Sequence, residues 1–114
     1  MDAIWQYIWM HGKEFEVLSQ CLLHYSCHKD ELGLAEWKFL KNWVKRIDNW
    51  AHSDTLSDLF ATVHERFPNI VYPQYEKWNR SGRPWEVRQS LVGLFYYAQG
   101  REKQPSFSKA MRMI

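Results

Sequence analysis

With 114 residues the chain has room for one ordinary domain, and at 46% hydrophobic and 25% charged it can bury a core rather than stay disordered. No run of about 18 apolar residues occurs, and the opening stretch lacks a basic region followed by a small-residue cleavage site. Neither a membrane span nor a secretory leader is expected, and two cysteines without a leader point to a reducing compartment, the bacterial cytoplasm. The formal net charge of +2 conceals an asymmetry. Residues 1–75 carry seven basic and ten acidic side chains, whereas residues 76–114 carry eight basic ones against Glu76, Glu86 and Glu102. A basic C-terminal portion suits an anionic partner, nucleic acid first, while an Arg-rich solvated face is the plainer alternative. Seven Trp in so small a chain also raise the question of stacking surfaces.

The apolar periodicity is helical throughout. Phe15, Leu18, Leu22 and Tyr25 share one stripe; Leu34, Trp37, Leu40, Trp43, Val44 and Ile47 form a second; Val87, Leu91, Leu94, Phe95 and Ala98 form a third. Breaks are expected at Gly12, Asp30 to Gly33, Asp48 to Ser53, Phe67-Pro68, Ser81 to Pro84 and Gly100, with Pro68 and Pro84 at helix entrances. No stretch alternates long enough to make a strand. The expected fold is all-α, with about six helices.

Displacing the sequence against itself by 35 residues lays Trp43 on Trp78, Trp50 on Trp85, Leu56 on Leu91, Leu59 on Leu94 and Phe60 on Phe95. A paired-helix unit recurring at this interval is the mark of an α-solenoid of the HEAT or armadillo sort. The expected helix pairs span 1–29, 34–66 and 69–99, with an incomplete final repeat over 100–114. Phe107, Met111, Met113 and Ile114 in that last piece have no helix to cover them, which implies either a fragment of a longer helical protein or a domain that self-associates through this end.

Two constellations interrupt the packing pattern. In IDNWAHSD, Trp50, His52, Asp48 and Asp54 crowd a helix entrance, where Asp54 or Thr55 would serve as N-cap and Asp58 would complete a capping box. On that plainer view Trp50 packs between helices and His52 is exposed. The spacing of four between Trp50 and Asp54 instead puts an indole and a carboxylate on one helix face. In PWEVR, Arg88 lies hard against the apolar stripe, so it needs a carboxylate partner or an anionic ligand. Its repeat counterpart is Ser53, which makes an Arg88–Asp54 pair between adjacent repeats geometrically reasonable.

Cys21, His24, Cys27 and His28 do not follow a known zinc spacing, and a core-lining Cys with surface His residues is the simpler account. A phosphate loop, a G-x-S-x-G elbow and a Cys/His nucleophile pair are all missing, so neither metal nor organic cofactor is expected.

The elements IWMHGKEFEVLSQCLLHY, IDNWAHSD and YEKWNRSGRPWEVRQSLVGL, in this order, resemble the middle of DNA alkylation repair enzymes of the HEAT-like-repeat glycosylase type. The resemblance covers roughly residues 4–107 and about half of that family's usual length. It implies excision of cationic N3- and N7-alkylated purines from double-stranded DNA without a cofactor. It further implies Asp54 as catalytic carboxylate, Trp50 as aromatic wall, and Arg88 as the phosphate- or carboxylate-pairing Arg. Trp85, His52, Arg80 and Arg83 would complete the DNA-binding surface. The chain ends before the family's second active-site aromatic and further Arg, and it has Ala51-His52 where the family often has an acidic residue. The lone polypeptide would therefore bind DNA weakly without turnover. A non-catalytic solenoid, binding DNA or another protein, is the alternative.

Overall fold

The computed structural model describes residues 2–98, all of whose regular structure is helical. The incomplete repeat expected over 100–114, with its uncovered Phe107, Met111, Met113 and Ile114, lies outside the described residues. Six α-helices follow one another: α1 (Asp2–His11), α2 (Phe15–Cys27), α3 (Leu34–Leu40), α4 (Trp50–Arg66), α5 (Pro68–Asn79) and α6 (Pro84–Ala98). Short 3-10 turns occupy Lys29–Glu31 and Lys41–Arg46. No described helix is long and apolar enough to cross a membrane.

Most expected breaks are where the chain turns. Pro68 and Pro84 each open a helix, where the missing N–H costs nothing. Gly82 has a φ of +77° in the turn before α6, a conformation that a Cβ would penalise. Two local details differ from the sequence expectation. The stripe Leu34, Trp37, Leu40, Trp43 does not continue as an α-helix; it winds into a 3-10 segment from Lys41, whose three residues per turn suit apolar side chains spaced by three. The break expected over Asp48 to Ser53 is shorter, because α4 begins at Trp50 with Asn49 as its N-cap. Asn49 Oδ1 accepts from the His52 N–H at 2.8 Å, so neither Asp54 nor Thr55 caps the helix.

Packing joins helices close in the chain: α4 packs against both α2 and α6, while α1 packs on α2, α3 on α4, and α5 on α6 and α4. Buried aromatics join the elements: Trp9 stacks on Trp43 at 4.7 Å, Phe60 on Trp78 at 5.5 Å, and Trp37 meets Phe60 edge-on. Contacts between residues 33 to 37 positions apart recur along the chain, including Trp9–Trp43, Arg66–Leu32, Ser53–Arg88 and Arg46–Trp9. In α4 the stripe Leu56, Leu59, Phe60 and Val63 is fully buried. The equivalent stripe of α6 is only partly so: Leu94 is buried, but Leu91 and Phe95 are exposed, and Gln89, Ser90 and Gly93 face inward. Among the described residues α4 is flanked on both sides and α6 on one, which accounts for the difference. Gly93 matters to this packing, since a Cβ there would stand 2.9 Å from the ring of buried Tyr75.

Candidate nucleic-acid interface

The start of α4 fixes the geometry of the site. With 3.6 residues per turn, positions four apart lie on nearly the same face and positions two apart on nearly opposite ones. Trp50 and Asp54 accordingly share the outer face, and His52 points inward. Trp50 is 67% exposed, the most exposed large hydrophobic side chain described. Asp54 retains 27% of its side-chain exposure while bonded to Arg88.

Arg88 reaches Asp54 from the second turn of α6. Its Nη2 donates to Asp54 Oδ1 at 2.9 Å and its Nη1 to Ser53 Oγ at 2.6 Å. The guanidinium also lies 5.8 Å from the ring of half-buried Trp85, within cation–π range. Beneath it runs a buried polar seam. Ser53 Oγ donates to Gln89 Oε1 at 3.0 Å, and Gln89 Nε2 donates to Ser57 Oγ at 2.7 Å. This seam sets the rotation of α6 on α4 and aims Arg88 outward at Asp54. Sequence reasoning had aligned Ser53 with Arg88 but missed Ser57 and Gln89, because small polar residues on an apolar helix give no periodic signal.

The other expected residues divide. Arg80, at the end of α5, is exposed and lies 3.9 Å from Glu76. Arg83, immediately before α6, is exposed and pairs with Glu86 at 3.1 Å. His52, expected on the DNA-binding surface, is instead 3% exposed. Its ring stacks on Phe15 at 4.4 Å, its Nε2 meets Ser19 Oγ at 2.9 Å, and its Nδ1 accepts from Asn49 at 2.9 Å. Burial pushes its pKa down, opposed by a hydrogen bond to the Phe15 backbone and the charge of Asp48. His52 thus ties the turn beneath Trp50 to Phe15 and Ser19 of α2. Phe15 itself remains half exposed at the start of α2, as Trp50 is at the start of α4.

Cys21 is buried, with its thiol pushed up by burial, and Cys27 is exposed. Trp5 stacks on His24 at 4.5 Å, and His24 meets His28 at 4.6 Å. Among the described residues no group of three His, Cys, Asp or Glu side chains is arranged to hold a metal ion.

An outward indole, a solvent-reachable carboxylate one turn later and a guanidinium fixed on it form a surface suited to a cationic, flat, phosphate-linked ligand. The profile of the DNA alkylation repair enzyme family matches residues 3–113, a stretch that includes this whole constellation. No curated protein and no solved structure matches the chain. Since the matched stretch is nearly the full sequence, the chain belongs to the DNA alkylation repair enzyme family.

Proposed function

We propose that Trp50 and Asp54 of α4, with Arg88 of α6, form the lesion-binding centre of a DNA glycosylase that releases cationic N3- and N7-alkylated purines from duplex DNA. Family membership carries a role in DNA repair and an interaction with DNA; base release is the finer reading. The observation that carries it is Trp50, exposed to 67% one helical turn before a carboxylate that solvent still reaches. A chain using these residues only for packing would bury the indole.

The chemistry needs little from the protein. A purine alkylated at N3 or N7 is already cationic, so it leaves with the electron pair of the N-glycosidic bond and requires no strong acid. Positive charge then develops on the sugar as an oxocarbenium ion. The Asp54 carboxylate stabilises that charge, orients the water that attacks the anomeric carbon and accepts the proton that this water gives up. Trp50 offers an indole face to the cationic base. Arg88 holds Asp54 in place and, with Arg80 and Arg83, is positioned for backbone phosphates. No cofactor enters these steps. The recurring contacts at separations of 33 to 37 residues support the HEAT-like solenoid in which α2, α4 and α6 would present this surface.

A second reading, a non-catalytic solenoid that binds DNA or protein, is favoured by one observation. Arg88 engages Asp54 directly and continues into the buried Ser53–Gln89–Ser57 seam, as a purely structural tie between α4 and α6 would. A glycosylase assay separates the two. Release of N7-methylguanine from alkylated duplex is measured with this chain and with a form extended past residue 114, each as wild type and as Asp54→Asn. We expect the substitution to abolish release and to leave duplex binding nearly intact. Undiminished release by Asp54→Asn overturns the proposal.

A further inference from the structure

Away from Asp54, a shallow hollow of ≈ 410 Å³ opens between the 3-10 segment, α5 and the entrance of α6. Lys41 and Lys45 line it from the 3-10 segment, Gln74 and Lys77 from α5, and Arg83 and Glu86 from the start of α6. Four cations thus surround one carboxylate, and Glu86 is already engaged by Arg83 at 3.1 Å. Among the described residues no ion pair holds Lys41, Lys45 or Lys77. The negative ends of α3 and α5 favour a lysine near each. They do not account for three lysines and an arginine gathered around a single hollow.

The hollow adjoins a second depression that reaches Trp85, the ring beside Arg88. This depression, of ≈ 320 Å³, shares Lys45, Arg83 and Glu86 with the hollow. Trp85 carries the Arg88 guanidinium 5.8 Å from its ring, and Arg88 is bonded to Asp54. A track of cations therefore runs along the two adjoining depressions, from Arg83, which lines the second with Trp85, to Lys45, Lys77 and Lys41. A track, unlike a single closed pocket, fits an extended polyanion.

We infer that this hollow is a second DNA-backbone site, on the side of the 3-10 segment and α5, where Lys41, Lys45 and Lys77 take phosphates away from the lesion. The inference rests on the reading above for the identity of the polyanion. Its purpose is sequence-independent: phosphate contacts fix the register of the duplex and supply affinity, and each phosphate neutralised releases condensed counterions.

The test uses the whole chain, an unmodified duplex and fluorescence anisotropy across about 50 to 200 mM salt. The triple variant Lys41→Gln, Lys45→Gln, Lys77→Gln should keep the wild-type helical melting curve. Its salt dependence, log affinity against log salt, should be shallower by about 1 per lysine, with affinity at the lowest salt reduced roughly tenfold or more. An unchanged slope and affinity overturn the inference, as does failure of the wild-type chain to bind duplex at all. Retained duplex affinity together with lost binding to phosphatidylserine vesicles assigns the hollow to a membrane surface and also overturns it. Asp54→Asn in the same titration should keep the full slope. If base release survives Asp54→Asn while the triple variant loses slope, the hollow stands and the glycosylase centre falls.

Discussion

Arg88 and Asp54 stand 34 positions apart in sequence and 2.9 Å apart across the contact between α4 and α6. The same guanidinium holds Ser53 at 2.6 Å, so one side chain fastens two consecutive residues of α4. Both partners of the ion pair keep about a third of their side-chain exposure, which decides the size of the effect. A fully buried pair broken on one side costs about 3–5 kcal/mol, whereas an exposed one contributes about 1 kcal/mol or less.

Replacing Arg88 by Met should therefore destabilise the chain by about 1–2 kcal/mol, combining the weak ion pair with the bond to Ser53. In a domain of this size that lowers Tm by roughly 4–15 °C. Thermal unfolding followed by circular dichroism checks it. An unchanged Tm would mean the pair contributes nothing to holding α6.

Trp50→Ala should separate binding from folding. A side chain exposed to 67% contributes little to the core, so stability should change by no more than about 0.5 kcal/mol. Affinity for a duplex carrying a cationic lesion should fall between roughly twofold and thirtyfold, the range that a cation–π contact of about 0.5–2 kcal/mol supplies. Affinity for unmodified duplex should change less. A large loss of stability would place Trp50 in the packing instead.

His52 gives the fold a pH dependence. Its folded pKa lies below the ordinary value of 6.5, chiefly because of burial. Between those two values the unfolded chain binds the proton and the folded chain does not, so stability falls as pH drops below about 6.5 and levels off under the folded pKa. Melting temperatures measured from about pH 7.5 to 5 should decline in wild type. The decline should be shallower in His52→Gln. Parallel profiles in the two proteins would show that His52 does not carry the effect.

Gly93→Ala sets two effects against each other. Helix propensity favours Ala by about 1 kcal/mol. The new Cβ, however, would stand 2.9 Å from the Tyr75 ring, which is wholly buried and cannot swing away. Overpacking of this kind costs about 1–3 kcal/mol, so net destabilisation of about 1 kcal/mol is expected in a denaturant titration. A gain in stability would mean that α6 shifts on α5 without strain.

The helices were legible because their causes are local. Pro68 and Pro84 open α5 and α6, Gly82 turns the chain, and residues spaced by three and four mark the buried side chains Leu18, Leu22 and Tyr25 of α2 and Trp37 and Leu40 of α3. The pairing of Arg88 with Asp54 was legible for a different reason: repeat arithmetic put Ser53 and Arg88 at equivalent positions, and equivalent positions of neighbouring helices touch. His52 was misplaced because the expected helix start fell one turn late. Once Asn49 caps α4, the helical period alone turns His52 inward and leaves Trp50 and Asp54 outside.

What the amino-acid sequence determined by itself is the all-α character, the helix entrances at Pro68 and Pro84, and the chemical types gathered near the start of α4. Propensity, capping and periodicity act over a few residues and need no partner element. The tertiary structure alone decided which face of α6 is buried, because Leu91 and Phe95 are apolar yet exposed, while Gln89 and Ser90 are polar yet find partners across α4 and α5. It also decided that Lys41, Lys45, Lys77 and Arg83 line one hollow. Charges scattered over more than 40 positions of sequence carry no mark of a common site until packing brings their helices together.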